Sequence, residues 1–164
     1  MSRRFFFSII MEILVLFFFL GGTARANVPS MPEIQGWECG ELTDIRFDAV
    51  SGNYGHWQAR EYKTPSGAPV KASIMYGNGP KFYNLPPDGV SYTDPNGSGA
   101  YYEIIRVKGF RSLIEYSPIT GYSVAVNAYE RQFSLTVECG PFEKRGDALR
   151  YAESILDAVI SASS

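Results

Sequence analysis

Histidine occurs once and cysteine twice in this chain of 164 residues, and both scarcities exclude chemistry. A hydrolase triad needs a nucleophile, a base and an orienting acid, yet the lone His56 sits in GNYGHWQ with no G-x-S-x-G or comparable nucleophile setting. Zinc sites use closely spaced cysteines with histidines nearby, and redox pairs use C-x-x-C; Cys39 and Cys139 are one hundred positions apart and form neither. Runs of basic residues are missing as well. The 15 Lys and Arg and 17 Asp and Glu alternate in sign along the chain, which disfavours nucleic acid and anionic membrane surfaces as partners.

One long apolar run is present, at the start. Arg3 and Arg4 precede an almost wholly apolar stretch over residues 5–20, followed by Gly21-Gly22-Thr23 and then Ala24-Arg25-Ala26. Charge, short apolar segment and small residues at −3 and −1 form the signature of an export signal peptide, here residues 1–26. Glu12 interrupts the run, which is short for a membrane span of about 20 residues. The expected location is therefore periplasmic or extracellular, the alternative being an inner-membrane anchor made by an uncleaved leader. Only in that alternative is a membrane expected as a partner. Residues 1–26 hold three of the fifteen basic residues and one of the seventeen acidic ones, so the remaining 138 residues carry twelve basic and sixteen acidic groups, a net charge of −4. That length suits one ordinary domain with one core. Residues 27–36, NVPSMPEIQG, read as a short linker, and residues 37–164 as a single α+β domain.

In an oxidising compartment two cysteines ordinarily pair, and Cys39–Cys139 is the one intrachain choice. Each lies in Glu-Cys-Gly. A bridge would tie the start of the domain to its last strand.

Period-two alternation follows. Ile45, Phe47 and Ala49 alternate with Asp44, Arg46 and Asp48. HWQAREYK and VKASIMY flank the turn TPSGAP, and YYEIIRV, FRSLIEY, YSVAVNA and QFSLTVEC succeed one another through short turns. In the last stretch Phe133, Leu135, Val137 and Cys139 share one face. Connections this short favour antiparallel pairing. After Pro141 the period becomes helical: Leu149, Ala152, Ile155, Leu156, Val159 and Ile160 recur at spacings of three and four, with Asp147 placed to cap the N-terminus. The expected fold is α+β, a single antiparallel sheet of about six strands, meander-like, with one C-terminal helix packed on one face. This order of elements over roughly residues 43–160 resembles the Mog1/PsbP-like architecture. Such a resemblance implies a fold and no active site.

Residues 77–100 are rich in Gly, Pro, Asn and Asp and read as a long irregular connection. Tyr76, Phe82, Tyr83, Tyr92, Tyr101 and Tyr102 stand in and around it, and tyrosine combines a flat apolar face with a hydroxyl at low entropic cost. Phe82, Tyr83 and Tyr92, with Lys81 and Asp88 to orient a polar group, are the candidate ligand- or partner-binding residues. Structural readings stand beside these: the rings as a lid holding the loop, DPNGSG as a plain turn carrying an Asn96-Gly97-Ser98 sequon, His56 as a packed neighbour of Trp57. No catalytic residue, metal ligand or cofactor is indicated. The function expected is that of an exported, non-enzymatic envelope domain binding an unknown envelope protein; the alternative is a small-ligand binder using the aromatic loop 76–102.

Overall fold

A computed structural model describes residues 29–48, 54–77 and 85–163. The expected leader, and Lys81, Phe82 and Tyr83 of the candidate loop, lie outside the described residues. The fold is α+β: one antiparallel sheet covered on one face by one C-terminal helix. Its strands are β1 (Glu38–Cys39), β2 (Thr43–Asp48), β3 (Tyr54–Lys63), β4 (Pro69–Gly77), β5 (Ser91–Thr93), β6 (Tyr101–Val107), β7 (Phe110–Ser117), β8 (Gly121–Ala128) and β9 (Phe133–Cys139), and α1 spans Arg145–Ala162. Nine strands replace the expected six or so, because the two- and three-residue strands β1 and β5 are too short to show a period.

The spatial order is β1-β3-β4-β9-β8-β7-β6-β5, with β2 also on β3. It departs from a simple meander. From β4 the chain crosses to the far edge, then meanders back until β9 closes beside β4. The connection between Gly77 and Ser91 therefore bridges five strand spacings, about 24 Å at ~4.8 Å each. A topological crossover accounts for its length.

Residues opposite one another in antiparallel register share a face, and neighbours along a strand alternate. On the inner face, beneath α1, Val70, Ala72 and Ile74 of β4 align with Cys139, Val137 and Leu135 of β9, and these with Tyr122, Val124 and Val126 of β8. All but Tyr122 are buried. Ala148, Tyr151, Ala152, Ile155, Leu156 and Val159 of α1 close the core from above. The helix starts at Arg145, two residues before the expected cap. Lys144 occupies the N-cap without a side-chain bond, and Asp147 pairs instead with Arg150 inside the first turn.

Within residues 29–36, part of the expected linker, Met31 joins the core and Ile34 packs against it, while Glu33, Gln35 and Gly36 stay exposed. Met31 is 1% exposed, its N–H donates to Gln58 Oε1 (3.0 Å), and Tyr62 Oη donates to the Pro32 carbonyl (2.7 Å). Trp37 then sets its ring edge-on to Tyr62 and Tyr151. A lone methionine among polar residues gives no periodic signal, so its burial was not legible.

β1 and β2 lie along the same edge of β3 but one register step apart: Cys39 faces Tyr62 and Thr43 faces Ala59, leaving three residues opposite two. This β-bulge shifts the pairing by one and exchanges the faces of all that follows. Ile45 and Phe47 consequently point away from the helix, 44% and 42% exposed, while Asp44 and Arg46 lie in register with Gln58 and His56 on the inner side.

The expected disulfide is absent; both thiols are free. Cys39, Tyr62, Val70 and Cys139 stand in one register row across β1, β3, β4 and β9. Two strands intervene, so the Cα atoms are separated by three spacings, ~14 Å, whereas a bridge needs less than about 7 Å. Burial, then the carboxylates Glu143, Asp147 and Glu138, push the Cys139 thiol up to about 12. In denaturant without reductant, two thiols are expected to titrate; fewer would show a bridge. In the native protein at neutral pH Cys139 should resist alkylation. Because the unfolded thiol ionises near 9.0 and the folded one near 12, this group's stabilisation is complete below pH 9 and is lost as pH rises towards 12.

Gly121 opens β8 with φ +86°, and a Cβ there would stand 2.4 Å from the carbonyl oxygens of Cys139 and Gly140. Gly109 has the same φ, +86°, in open space. Gly109→Ala is expected to cost about 1 kcal/mol, the left-handed backbone penalty alone. Gly121→Ala adds a clash with backbone and should cost ~3 kcal/mol or more, read as the shift in urea midpoint.

Candidate functional site

Of the expected aromatic group, the sheet brings three members together and sends one away. Tyr76 lies at the opposite end, its ring stacked on His56 (5.0 Å, 4°). Tyr92, Tyr101 and Tyr102 meet through the β5–β6 register, where Tyr92 faces Tyr102 and Thr93 faces Tyr101. Two tyrosines from elsewhere join them. Tyr101, Tyr116 and Tyr122 form one row across β6, β7 and β8 on the inner face, with centroids 5.6 and 4.8 Å apart. Tyr101 Oη donates to Tyr122 Oη (3.4 Å), and this bond, with burial second, raises the Tyr122 pKa. On the outer face Tyr92 stacks on Tyr102 at 5.5 Å and 17°. Tyr116 and Tyr122 fall in ordinary alternating strands, so nothing in the sequence separated them from core residues.

Around this end lie two shallow, open depressions. One, about 280 Å³, is lined by Tyr92, Tyr101, Tyr102 and Tyr116 with the turn Thr120–Gly121. The other, about 340 Å³, lies along Gly89–Thr93 and Tyr101–Ile104. Neither encloses a small molecule as a ligand cavity does, burying most of its surface. Two turn tips stand at the same end, bearing Ile119 (85% exposed) and Phe142 (95%).

Asp88, expected to orient a ligand, instead fastens the crossover to the sheet. Its carboxylate accepts from Arg111 Nε (2.7 Å) and Arg106 Nη2 (3.2 Å), while Arg111 Nη2 donates to the Pro86 carbonyl (2.6 Å).

Among the described residues, no helix or strand packs on the outer face, and the crossover reaches it at one end, where Asp88 and Pro86 hold the outward Arg111 and Arg106. Register places Ile45, Trp57 and Met75 in one row near the β2 edge, and Leu113 beside Ile104 in the next row towards β6. Short side chains lie between them on β8 and β9: Ala125 opposite Thr136, Asn127 opposite Ser134. Tyr102 lies two positions before Ile104 on the same face, so the group of Leu113 and Ile104 ends in the stacked tyrosine pair.

A different cluster surrounds the single histidine. His56 Nδ1 is 3.5 Å from Asp44 Oδ1, and Gln58 Nε2 donates to Asp44 Oδ2 (3.0 Å). Burial, then Asp44's charge, raise the pKa of Tyr76. A base and an orienting acid are thus adjacent, but among the described residues no Ser, Cys or Thr hydroxyl or thiol is bonded to His56, which a nucleophilic mechanism needs. The cluster also ties β2 to β3 and, through Gln58, to Met31. Among the described residues no group of three His, Cys, Asp or Glu side chains is placed to hold a metal ion.

If the cluster is a structural tie, Asp44→Ala should cost more than His56→Gln. The first strands the buried Gln58 amide, worth about 1–3 kcal/mol; the second loses a half-exposed contact worth less than ~1 kcal/mol. Urea unfolding of both variants gives the order. A His56→Gln protein that folds as stably as the parent yet loses its cellular phenotype would make the histidine catalytic instead.

Comparison of the chain with protein-family models, with curated proteins and with solved structures finds no match, so the geometry alone carries the functional reading.

Proposed function

We propose that this chain is an exported, non-enzymatic domain that binds another protein of the envelope through the outer face of its sheet, anchored by Tyr92 and Tyr102. The observation that carries this reading is a pair of apolar patches on the face opposite α1, Ile45, Trp57 and Met75 on one side and Leu113, Ile104 and the stacked tyrosines on the other, with the short side chains of β8 and β9 between them. Isolated surface apolar residues are ordinary; a grouped apolar patch ending in the exposed Tyr92 ring, stacked on Tyr102, fits a partner-binding surface. Tyrosine is enriched among the residues that dominate interface energies, since its ring buries a large area for little lost freedom. The flat geometry favours a macromolecule over the small-ligand alternative: the core beneath α1 is filled, and the depressions at the tyrosine end are shallow. Export rests on the N-terminal signature of residues 3–26 and no longer on the cysteines, which do not pair.

Cross-linking of the tagged protein in intact cells, followed by mass spectrometry, tests the proposal. The double variant Tyr92→Ala, Tyr102→Ala is expected to keep its thermal unfolding midpoint within a few degrees and to lose tenfold or more of an enriched protein. Unchanged enrichment would remove the tyrosines from the interface. A small molecule retained through native purification, with no protein enriched, would favour the ligand reading.

A further inference from the structure

β2 pairs with β3 along one side, and among the described residues no strand pairs with the other, so the N–H and C=O groups it turns outwards can serve a further strand. Thr43, Asp44, Ile45, Arg46 and Phe47 are all exposed. Proteins guard such an edge with very short strands, bulges or charges of the strand's own. The opposite edge, β5, is short, with three residues. β2 has six, and its charges are arranged in a different way. Asp44 and Arg46, of opposite sign, lie two positions apart on the inner side, and Ile45 stands between them on the outer face.

Opposite residues in antiparallel register share a face, so a strand that pairs with its own copy about a two-fold axis is centred on a single residue. Two centres let five residues of β2 face five of the copy: Ile45, which pairs 43–47, and Arg46, which pairs 44–48. Centred on Arg46, the guanidinium meets its own duplicate. Centred on Ile45, Asp44 faces Arg46 of the copy and Arg46 faces Asp44 of the copy, one opposite-charge pair on each side of the axis. Asp44 already accepts from Gln58 and lies 3.5 Å from His56, which uses one site on each carboxylate oxygen and leaves about two of four. Arg46 also has a contact within its own chain, but its guanidinium carries five donors.

The same register suits the outer face. The row Met75, Trp57, Ile45 continues into Ile45, Trp57 and Met75 of the copy, so the apolar patch at the β2 edge is joined to its duplicate. Phe47 faces Thr43 of the copy, whose own neighbour in register is Ala59. Ile45 and Phe47, 44% and 42% exposed in the single chain, thereby gain a neighbour on their open side. We infer that this chain forms a two-fold dimer in which β2 pairs antiparallel with β2 of a second copy, centred on Ile45, so that the two sheets become one. The occupant is a second copy because the charge order of the strand is complementary to itself, and a two-fold contact closes at two chains. The dimer uses the β2 edge and leaves Tyr92 and Tyr102, at the far edge, to another partner.

Sedimentation equilibrium over a concentration series, on the chain purified from its own cells, tests the dimer. The parent is expected to reach twice the monomer mass. Ile45→Lys, which sets two ammonium groups against each other across the axis at a site exposed in the single chain, is expected to stay monomeric and still unfold cooperatively. A parent that is monomeric at every concentration, or a dimer that survives Ile45→Lys, overturns the inference. Cysteine placement then reads the register. With Cys39→Ser to remove the half-buried thiol, Ile45→Cys places two thiols directly opposite, with Cα atoms about 5 Å apart, and is expected to give an intermolecular disulfide under mild oxidation, seen on a non-reducing gel. Arg46→Cys in the same background stands two positions out of line with its copy, about 8 Å away and beyond the ~7 Å limit, and is expected to give none. A bridge at position 46 without one at 45, or no bridge at 45 in a protein that sediments as a dimer, overturns the pairing.

Discussion

β9 is the last strand in the chain and the middle of the sheet, and this one placement constrains everything else. Phe133, Leu135, Val137 and Cys139 are each at most 2% exposed, paired with β4 on one side and β8 on the other, and roofed by α1. Among the described residues, the β3–β4 hairpin and the β5–β8 meander have no sheet contact with one another except through it. Joining them requires contacts between residues 57 to 69 positions apart, an arrangement whose loop-closure entropy slows folding. The close approach of Gly121 to the backbone of Cys139 and Gly140 belongs to the same constraint, because it is there that β8 enters alongside the end of β9.

The inner face could be read from the sequence because its residues repeat in register. Phe133, Leu135 and Val137 alternate cleanly, Val124 and Val126 match them, and the helix changes the period to three and four, so class and layer order were legible. Three local events were not. The bulge between Cys39 and Thr43 adds one residue, and period two carries no record of which face it belongs to, so Ile45 and Phe47 looked like core and are not. The crossover after β4 is invisible because a chain that skips to the far edge shows the same alternation as one that turns back. The cysteines, which stand in one register row on the same face, are separated by strand order alone. That order lies in no local pattern.

The candidate site was legible in part for a related reason. Tyr92 stood out because it interrupts a Gly- and Pro-rich stretch, where an aromatic ring has no strand to explain it. Tyr116 and Tyr122 sit in regular strands and read as core. The long connection drew attention to itself by its length, yet that length follows from the distance it must cover, and Asp88 within it holds the crossover down through Arg106 and Arg111.

A single-layer sheet of this width has two faces and one helix. The inner face is saturated by α1 and by residues 29–37, which bring Met31 and Trp37 over the β3 side. Had the outer face been shaped only for solvent, period two would have placed charged and hydroxyl side chains along it, as it does at Glu61, Lys71 and Glu138. Instead Trp57, Met75, Leu113 and Ile104 interrupt that pattern on both sides of a strip of short side chains. Exposed edges and turns tolerate scattered apolar groups, but a large ring or thioether in the middle of a face gives up burial that the other side of the same strand could have provided. Two apolar patches thus flank the polar middle of the face, and among the described residues no helix or strand of the chain packs on either of them. The stacking of Tyr92 on Tyr102 extends the second of these patches from Leu113 and Ile104 to the β5 edge.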